Sequence, residues 1–363
     1  MNVPLSVIFA AIAADAFLIL ACSALVVATR ASRLKAERRT AARLGPLRPL
    51  LLEVAAEDDP EGESLRRLQG LGDEDWAALA PVAIGLVGKV RGGAKEALAS
   101  LIDAHGSTGW AFRALFSRRA SERARAAEMI GSLGHVELAP RLLPLLKDRR
   151  TDVRIVAARA LGQLRSPAAA SGLIEAAAGR HPVPRGIAAH ALLRIGVPAC
   201  PALTAALSSA DWNLRSLAAD VLGRIGALSS AGELGKLAGS DPVLAVRVSA
   251  VGALGRLGLP GWTGELVQAA GRQHEPQLRE VAVEALGSVG TPEAAKALGL
   301  LMADPDLRLG ARAAARLARL GPLGRAVLEQ ATAARKASSS EATRAATQAR
   351  AALALAAIGR VAR

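Results

Sequence analysis

Tyrosine is absent from this 363-residue chain, and aromatic side chains of all kinds make up 2% of it. Beyond Phe116 the only aromatics are Trp212 and Trp262. So few rings leave no platform for stacked bases, which argues against a nucleic-acid binder despite the excess of basic residues. Cysteine is nearly as scarce. Cys22 and Cys200 cannot build a disulfide framework, neither has a neighbour at metal-ligand spacing, and both read as small apolar fillers. The five histidines (His105, His135, His181, His190, His274) never put two ligands on one helix face, the nearest pair being nine residues apart. The one His-Glu dipeptide, His274-Glu275, falls where a turn accounts for it equally well. No glycine-rich phosphate loop, nucleophile elbow or zinc pattern occurs. These absences point to a protein that is not an enzyme and carries no metal or cofactor.

What is present is alanine, leucine, arginine and glycine, within a chain that is 51% hydrophobic. That mixture suits many short packed helices rather than sheets. The net charge of +14 is uneven: −1 over residues 1–29, +5 over 30–43, −5 over 44–110 and +15 over 111–363. A basic body on an acidic neck favours an anionic partner.

From Val3 to Thr29 the chain has 27 residues and a single charge, Asp15, enough to cross about 30 Å of hydrocarbon as a tilted helix. The start, Met1-Asn2-Val3-Pro4, lacks the basic residues of a cleaved signal, and the cations follow the apolar run. Residues 1–29 are therefore expected to be a retained transmembrane helix. The cluster Arg30, Arg33, Lys35, Arg38, Arg39 and Arg43 predicts an N-terminus outside and a cytoplasmic body, in an inner or plasma membrane. Asp15 shares a helical face with Ala11 and Cys22. It is a candidate docking point for another transmembrane segment, or a protonated residue tolerated in a long span. Residues 44–109 read as an irregular helical neck. Gly45-Pro46 and Pro49 are expected to break the basic helix, Glu57–Glu63 to form an acidic loop, and Asp73 to cap a helix through Ala80.

The body repeats itself. Arg123, Arg154, Arg185, Arg215, Arg247, Arg279 and, less cleanly, Arg308 are separated by 31, 31, 30, 32, 32 and 29 residues. Counting each arginine as position 0, positions 3, 4, 7 and 10 carry Ala, Ala, Leu and Leu or Ile in most copies, one face of a helix at 100° per residue. Gly134, Gly196, Gly226, Gly258 and Gly290 close these helices; Arg165 interrupts the series, and Gly310 is the better origin for the seventh copy. A preceding helix in each period carries apolar runs such as Ala139–Leu146 and Ala294–Met302, with starts at Ser166-Pro167 and Thr291-Pro292. Residues 322–363, including the apolar spacing of Gln348–Gly359, are expected to cap the array.

The motif of Asp or Pro before Val/Leu-Arg, with Ala-Ala…Ala-Leu-Gly after it, resembles the HEAT-like repeats of the phycobilisome-lyase type over residues 110–321. The resemblance implies an all-α solenoid of about seven antiparallel helix pairs in a right-handed superhelix. It implies no particular chemistry, since such repeats serve chromophore lyases, hydroxylases and scaffolds alike. It also implies that the marker arginines are a structural ladder, with Asp152, Asp211, Asp241, Glu275 and Asp304 placed to tie neighbouring repeats. The outline of anchor, basic stop, neck and array further resembles bacterial membrane HEAT proteins that accompany exopolysaccharide-type glycosyltransferases. This implies a membrane-associated protein partner and a scaffold or regulatory role. A bilin-lyase-like enzyme and a nucleic-acid binder are the alternatives.

Positions 5 and 9 of the second helix lie opposite the core stripe. Arg159 and His190 at position 5, and Arg194, Arg224 and Arg256 at position 9, are the candidate partner-binding residues of a basic concave ridge. Each position-9 cation equally suits the C-terminal end of a helix dipole.

Overall fold

The computed structural model describes residues 27, 29–31, 35, 40–134, 136–333 and 340–361. The expected span over residues 3–29 lies almost wholly outside these, Asp15 and Cys22 included. Among the described residues there is no strand, and no single helix is long and apolar enough to cross a membrane. Two compact units divide the chain, Met1–Arg113 and Ala114–Arg363.

In the first unit the helices are α1 (40–55), α2 (Glu63–Gln69), α3 (Asp73–Val87), α4 (Gly93–Ala104) and α5 (Ser107–Ala114), the last running across the boundary. Gly45, Pro46 and Pro49 do not break α1. The prolines withhold ladder donors, but Leu51 and Val54 beyond them are buried and hold the helix through. Likewise α3 continues past Ala80 and through Pro81 to Val87, with Leu79, Ala83 and Val87 buried on one side. The acidic stretch serves the fold. Glu57 accepts the Ala94 N–H at the start of α4 (2.9 Å), and Asp59 accepts the Ser64 and Leu65 N–H groups at the start of α2 (3.3 and 3.0 Å). Trp76 stacks on the His105 ring with centroids 4.2 Å apart and donates to Ser107 Oγ at 2.9 Å.

The second unit is a succession of helix pairs. The second, or B, helices are α6 (Ala120–Leu133), α8 (Thr151–Leu164), α10 (Arg185–Ile195), α12 (Trp212–Ile225), α14 (Leu244–Leu257), α16 (Pro276–Val289) and α18 (Leu307–Arg319). The first, or A, helices that precede the later six are α7 (Ala139–Leu142, continued as a 3-10 turn to Lys147), α9 (Ala170–Ala176), α11 (Cys200–Ala206), α13 (Ala231–Ser240), α15 (Thr263–Ala269) and α17 (Pro292–Leu301). The helices α19 (Gly321–Ala333) and α20 (Ser340–Val361) follow. Pro144 ends α7 early by denying it a donor. Thr291 caps α17 through the Ala294 N–H (3.1 Å), whereas the Ser166 hydroxyl caps nothing, because a 3-10 turn precedes α9.

The stripe at positions 3, 4 and 7 is buried in every copy, as with Ala157, Ala158 and Leu161. In α18 the buried residues are Leu309, Gly310, Ala313, Ala314 and Leu317, which fits the frame starting at Gly310. A second pattern brings the B helices together. Gly131, Gly162, Gly223 and Gly255 stand at position 8, each against the position-6 alanine of the next B helix (Ala160, Ala191, Ala253, Ala285). A Cβ built on any of them would lie 2.5–2.7 Å from that alanine. Position 8 of α10 is Leu193, so the glycine contact is missing between α10 and α12.

The closing residue of α8 is Arg165, at φ 53°, where α6, α10, α12, α14 and α16 use glycine at φ 65–82°. Arg165→Gly should raise stability by about 0.5–1 kcal/mol, since the left-handed conformation costs an L residue more than glycine. Gly223→Val should lower it by about 1–3 kcal/mol through overpacking against Ala253. Thermal unfolding of both variants checks the pair.

Candidate functional site

The marker arginines occupy the junctions between repeats. Arg123 grips Asp148 with Nε and Nη2 (2.7 and 2.9 Å), and Arg215 grips Asp241 in the same way (2.7 and 3.0 Å). Arg247 pairs with Glu275 (2.8 Å) and Arg279 with Asp304 (2.5 Å). The same guanidinium groups donate to carbonyls of their own loop, as Arg215 does to Ser209 and Ala210. Two of the expected acids do not take part: Asp211 caps α12 by accepting the Asn213 N–H, and Asp152 is exposed on the first turn of α8. Asp148, unforeseen from sequence, stands one turn earlier.

Arg154 and Arg185 form no ion pair among the described residues, although Arg154 feels the Asp148 charge. Arg154 is 4% exposed and donates to the Asp148 carbonyl (2.8 Å) and Thr151 Oγ1 (3.0 Å), leaving its Nε without a partner. Arg185 donates to Ser216 Oγ (3.0 Å) and the Asn213 carbonyl (3.4 Å).

Burial opposes ionisation of Asp148, Asp241 and Asp304. The arginine hydrogen bond, one backbone N–H and the surrounding cations outweigh it, so all three titrate below the ordinary aspartate value.

The expected ridge is not three free cations. Arg256 reaches back across one repeat to Asp220 (2.9 Å), its guanidinium lying over Gly223, and Arg224 pairs with the same Asp220 from one turn away (3.3 Å). Burial lowers the Arg256 pKa from its ordinary value; Asp220 pulls it back and Arg224 pushes it further down. Arg194 lies toward Gly162, donating to its carbonyl at 3.4 Å. The reason is the glycine at position 8, which opens a groove that the long position-9 side chain of the next helix fills. Arg159 and His190 are exposed, and their side chains make no hydrogen bond, ion pair or ring contact with other described residues. Further along, Arg312 pairs with Glu280 (3.3 Å) and Arg316 with Glu284.

Among the described residues no group of three His, Cys, Asp or Glu side chains could hold a metal. Cys200 is a half-buried free thiol whose pKa is raised by burial. An open pocket of about 390 Å³ lies against Ala318, Pro322, Leu328 and Leu353, with Arg325 its one charged lining residue.

Tandem helix pairs, tied by a lateral arginine ladder and joined by B-helix contacts, define an α-solenoid. The family model for HEAT repeats matches residues 111–193, 171–255, 200–281 and 233–319, together more than half of the chain. The chain belongs to the HEAT-repeat family. Among solved structures it is similar to the karyopherin Kap121p bound to the SUMO protease Ulp1p, at 13% identity and a TM-score of 0.51, covering 79% of this chain and 37% of that one. It is also similar to the CpcE–CpcF complex of phycocyanin lyase from Nostoc sp. PCC7120, at 24% identity, TM-score 0.33, and coverage of 61% and 92%. The first likeness shows the fold, and the second carries no argument about function. No curated protein matches the sequence.

Arg215→Ala should cost about 3 kcal/mol, because it strands Asp241, whose side chain is 3% exposed, without its partner. Arg159→Ala should stay within about 0.5 kcal/mol. Because the ladder carboxyls have lowered pKa values, their contribution is full above the unfolded aspartate value of about 3.9 and is lost as pH falls through the folded one. Denaturant titrations of Asp241→Asn across the acid range should show a shallower pH slope than the parent.

Proposed function

We propose that this HEAT-repeat protein is a non-enzymatic scaffold, anchored by residues 3–29 and oriented by Arg30–Arg43 so that its repeats face the cytoplasm. It would serve there as adaptor or regulatory subunit for a membrane-associated protein, an exopolysaccharide-type glycosyltransferase being the candidate the outline suggests. The observation that carries the partner role is the solvent-exposed side of the B helices, opposite the core stripe. Arg159 and His190 stand exposed there on consecutive helices, α8 and α10, which the Gly162–Ala191 contact brings together. A protein-binding role is in keeping with the likeness in fold to the karyopherin Kap121p, which is bound to the SUMO protease Ulp1p. Exposed position-5 residues bear little of the folding free energy, so they are free to serve recognition.

A reporter fused after Arg363 should be active in the cytoplasm; activity on the other side of the membrane would reverse the orientation. Affinity purification from detergent-solubilised membranes should recover a partner with the parent chain and lose it with Arg159→Glu/His190→Glu. Asp15→Leu should leave the chain in the membrane and weaken recovery of a partner that has transmembrane segments. Equal recovery from all three chains would remove both faces from the reading.

A further inference from the structure

The A-to-B loops, of which the segment between α5 and α6 is the first, change sign along the solenoid. In the first three they carry Arg118, Arg119, Lys147, Arg149, Arg150 and Arg180, with His181. In the later loops Asp211, Asp241, Glu275, Asp304 and Asp306 predominate. Arg118, Lys147, Arg149, Arg150 and Arg180 are all exposed, and none uses its own side chain in an ion pair or hydrogen bond with another described residue. Against them stand Glu122, Asp148 and Asp152. Glu122 is engaged by Arg119 and Ser117, and Asp148 by Arg123.

This charge runs against the needs of the fold. Arg119 and Arg150 occupy the positions just before α6 and α8, where a helix N-terminus is positive and favours an acceptor or an anion, and neither side chain caps. In the later loops Asp211 and Asp306 stand at the equivalent place and accept backbone N–H groups. The ladder changes at the same point. Arg123 and Arg215 turn Nε toward the carboxylate of the following loop, but the loop after Arg154, residues 177–184, has none, and the buried Nε of Arg154 is unpartnered. A buried guanidinium that shares its nearest carboxylate, Asp148, with Arg123, behind five exposed unpaired cations, is balanced most simply by anions from outside. Phe116 completes the patch. It is 79% exposed, two residues before Arg118, and has no ring to stack on among the described residues.

We propose that the edge formed by the first three A-to-B loops docks on anionic lipid headgroups, with Phe116 entering the interface between headgroups and acyl chains. An apolar ring beside a row of cations suits a membrane surface. A single-stranded nucleic acid would call for several stacking rings, and a purely ionic contact with a nucleic-acid duplex or an acidic peptide would leave the exposed Phe116 ring unused. This adds a second contact to the anchor proposed above and does not require it.

The full chain is mixed with vesicles of phosphatidylcholine alone, or of equal parts phosphatidylcholine and phosphatidylserine. Salt-resistant flotation with both kinds reports the anchor. The edge is read separately, from amide hydrogen exchange over residues 116–122, 147–153 and 179–186. These segments should exchange at least about tenfold more slowly on the phosphatidylserine vesicles than on phosphatidylcholine, and high salt should abolish the difference. Arg118→Ser/Arg149→Ser/Arg150→Ser/Arg180→Ser should lose that protection with flotation unchanged. Arg150→Asp should weaken it while keeping or raising the melting temperature, because a carboxylate there caps α8; unfolding then cannot explain the loss. If the anchor fails and neutral vesicles do not float the chain, the edge still demands salt-sensitive flotation with phosphatidylserine. Equal exchange on the two vesicle types, or protection that survives in the four-serine variant, overturns the proposal. So does protection of these segments by an RNA duplex or polyglutamate at a salt concentration where vesicles give none.

Discussion

The solenoid depends on how closely its B helices approach. Glycine at position 8 faces alanine at position 6 of the next helix, so the backbones meet without an intervening side chain. Such short contacts gather many small dispersion gains, which a single helix pair could never collect by itself. The approach also fixes the phase of successive helices. That phase carries a marker arginine to the loop that follows, where a carboxylate receives it with two hydrogen bonds from Arg123 and Arg215.

The same contact shapes the outer face. A glycine leaves a shallow groove, and the long polar side chain at position 9 of the next helix lies across it: Arg256 over Gly223 and Arg194 toward Gly162. Cations that helical periodicity assigns to solvent are thereby drawn into intramolecular contacts. Arg159 and His190, at position 5, stay exposed and form no hydrogen bond or ion pair with described residues. One interaction thus decides which of these charges stabilise the array and which stay exposed to solvent.

Where the regular pattern lapses, other roles become possible. Leu193 replaces the position-8 glycine between α10 and α12, and Arg154 and Arg185 lack the carboxylates that hold other repeats together. These departures fall in the same stretch as the arginine-rich loops. A fold that satisfies itself through Asp241, Glu275 and Asp304 in its later repeats carries uncompensated positive charge in its earlier ones.

Much of this was legible in the sequence. The spacing of the marker arginines and the Ala-Ala-Leu stripe determined the repeat length, the helix pairs and the core face, because helical periodicity is a local property. Gly134, Gly226, Gly258 and Gly290 announced the helix ends for the same reason, and the shifted frame at Gly310 is visible in spacing alone. The glycines at position 8 were equally periodic, but nothing local distinguishes a glycine that admits a neighbouring helix from one that only weakens its own. The acid partners were ambiguous too. Asp148, Asp152 and Asp211 all lie near a helix start, and only the placement of adjacent loops decided that Asp148 receives Arg123 while Asp211 caps its own helix. The fate of the position-9 arginines was likewise settled in tertiary structure, because a side chain's solvent exposure depends on the groove presented by a helix some thirty residues away in sequence.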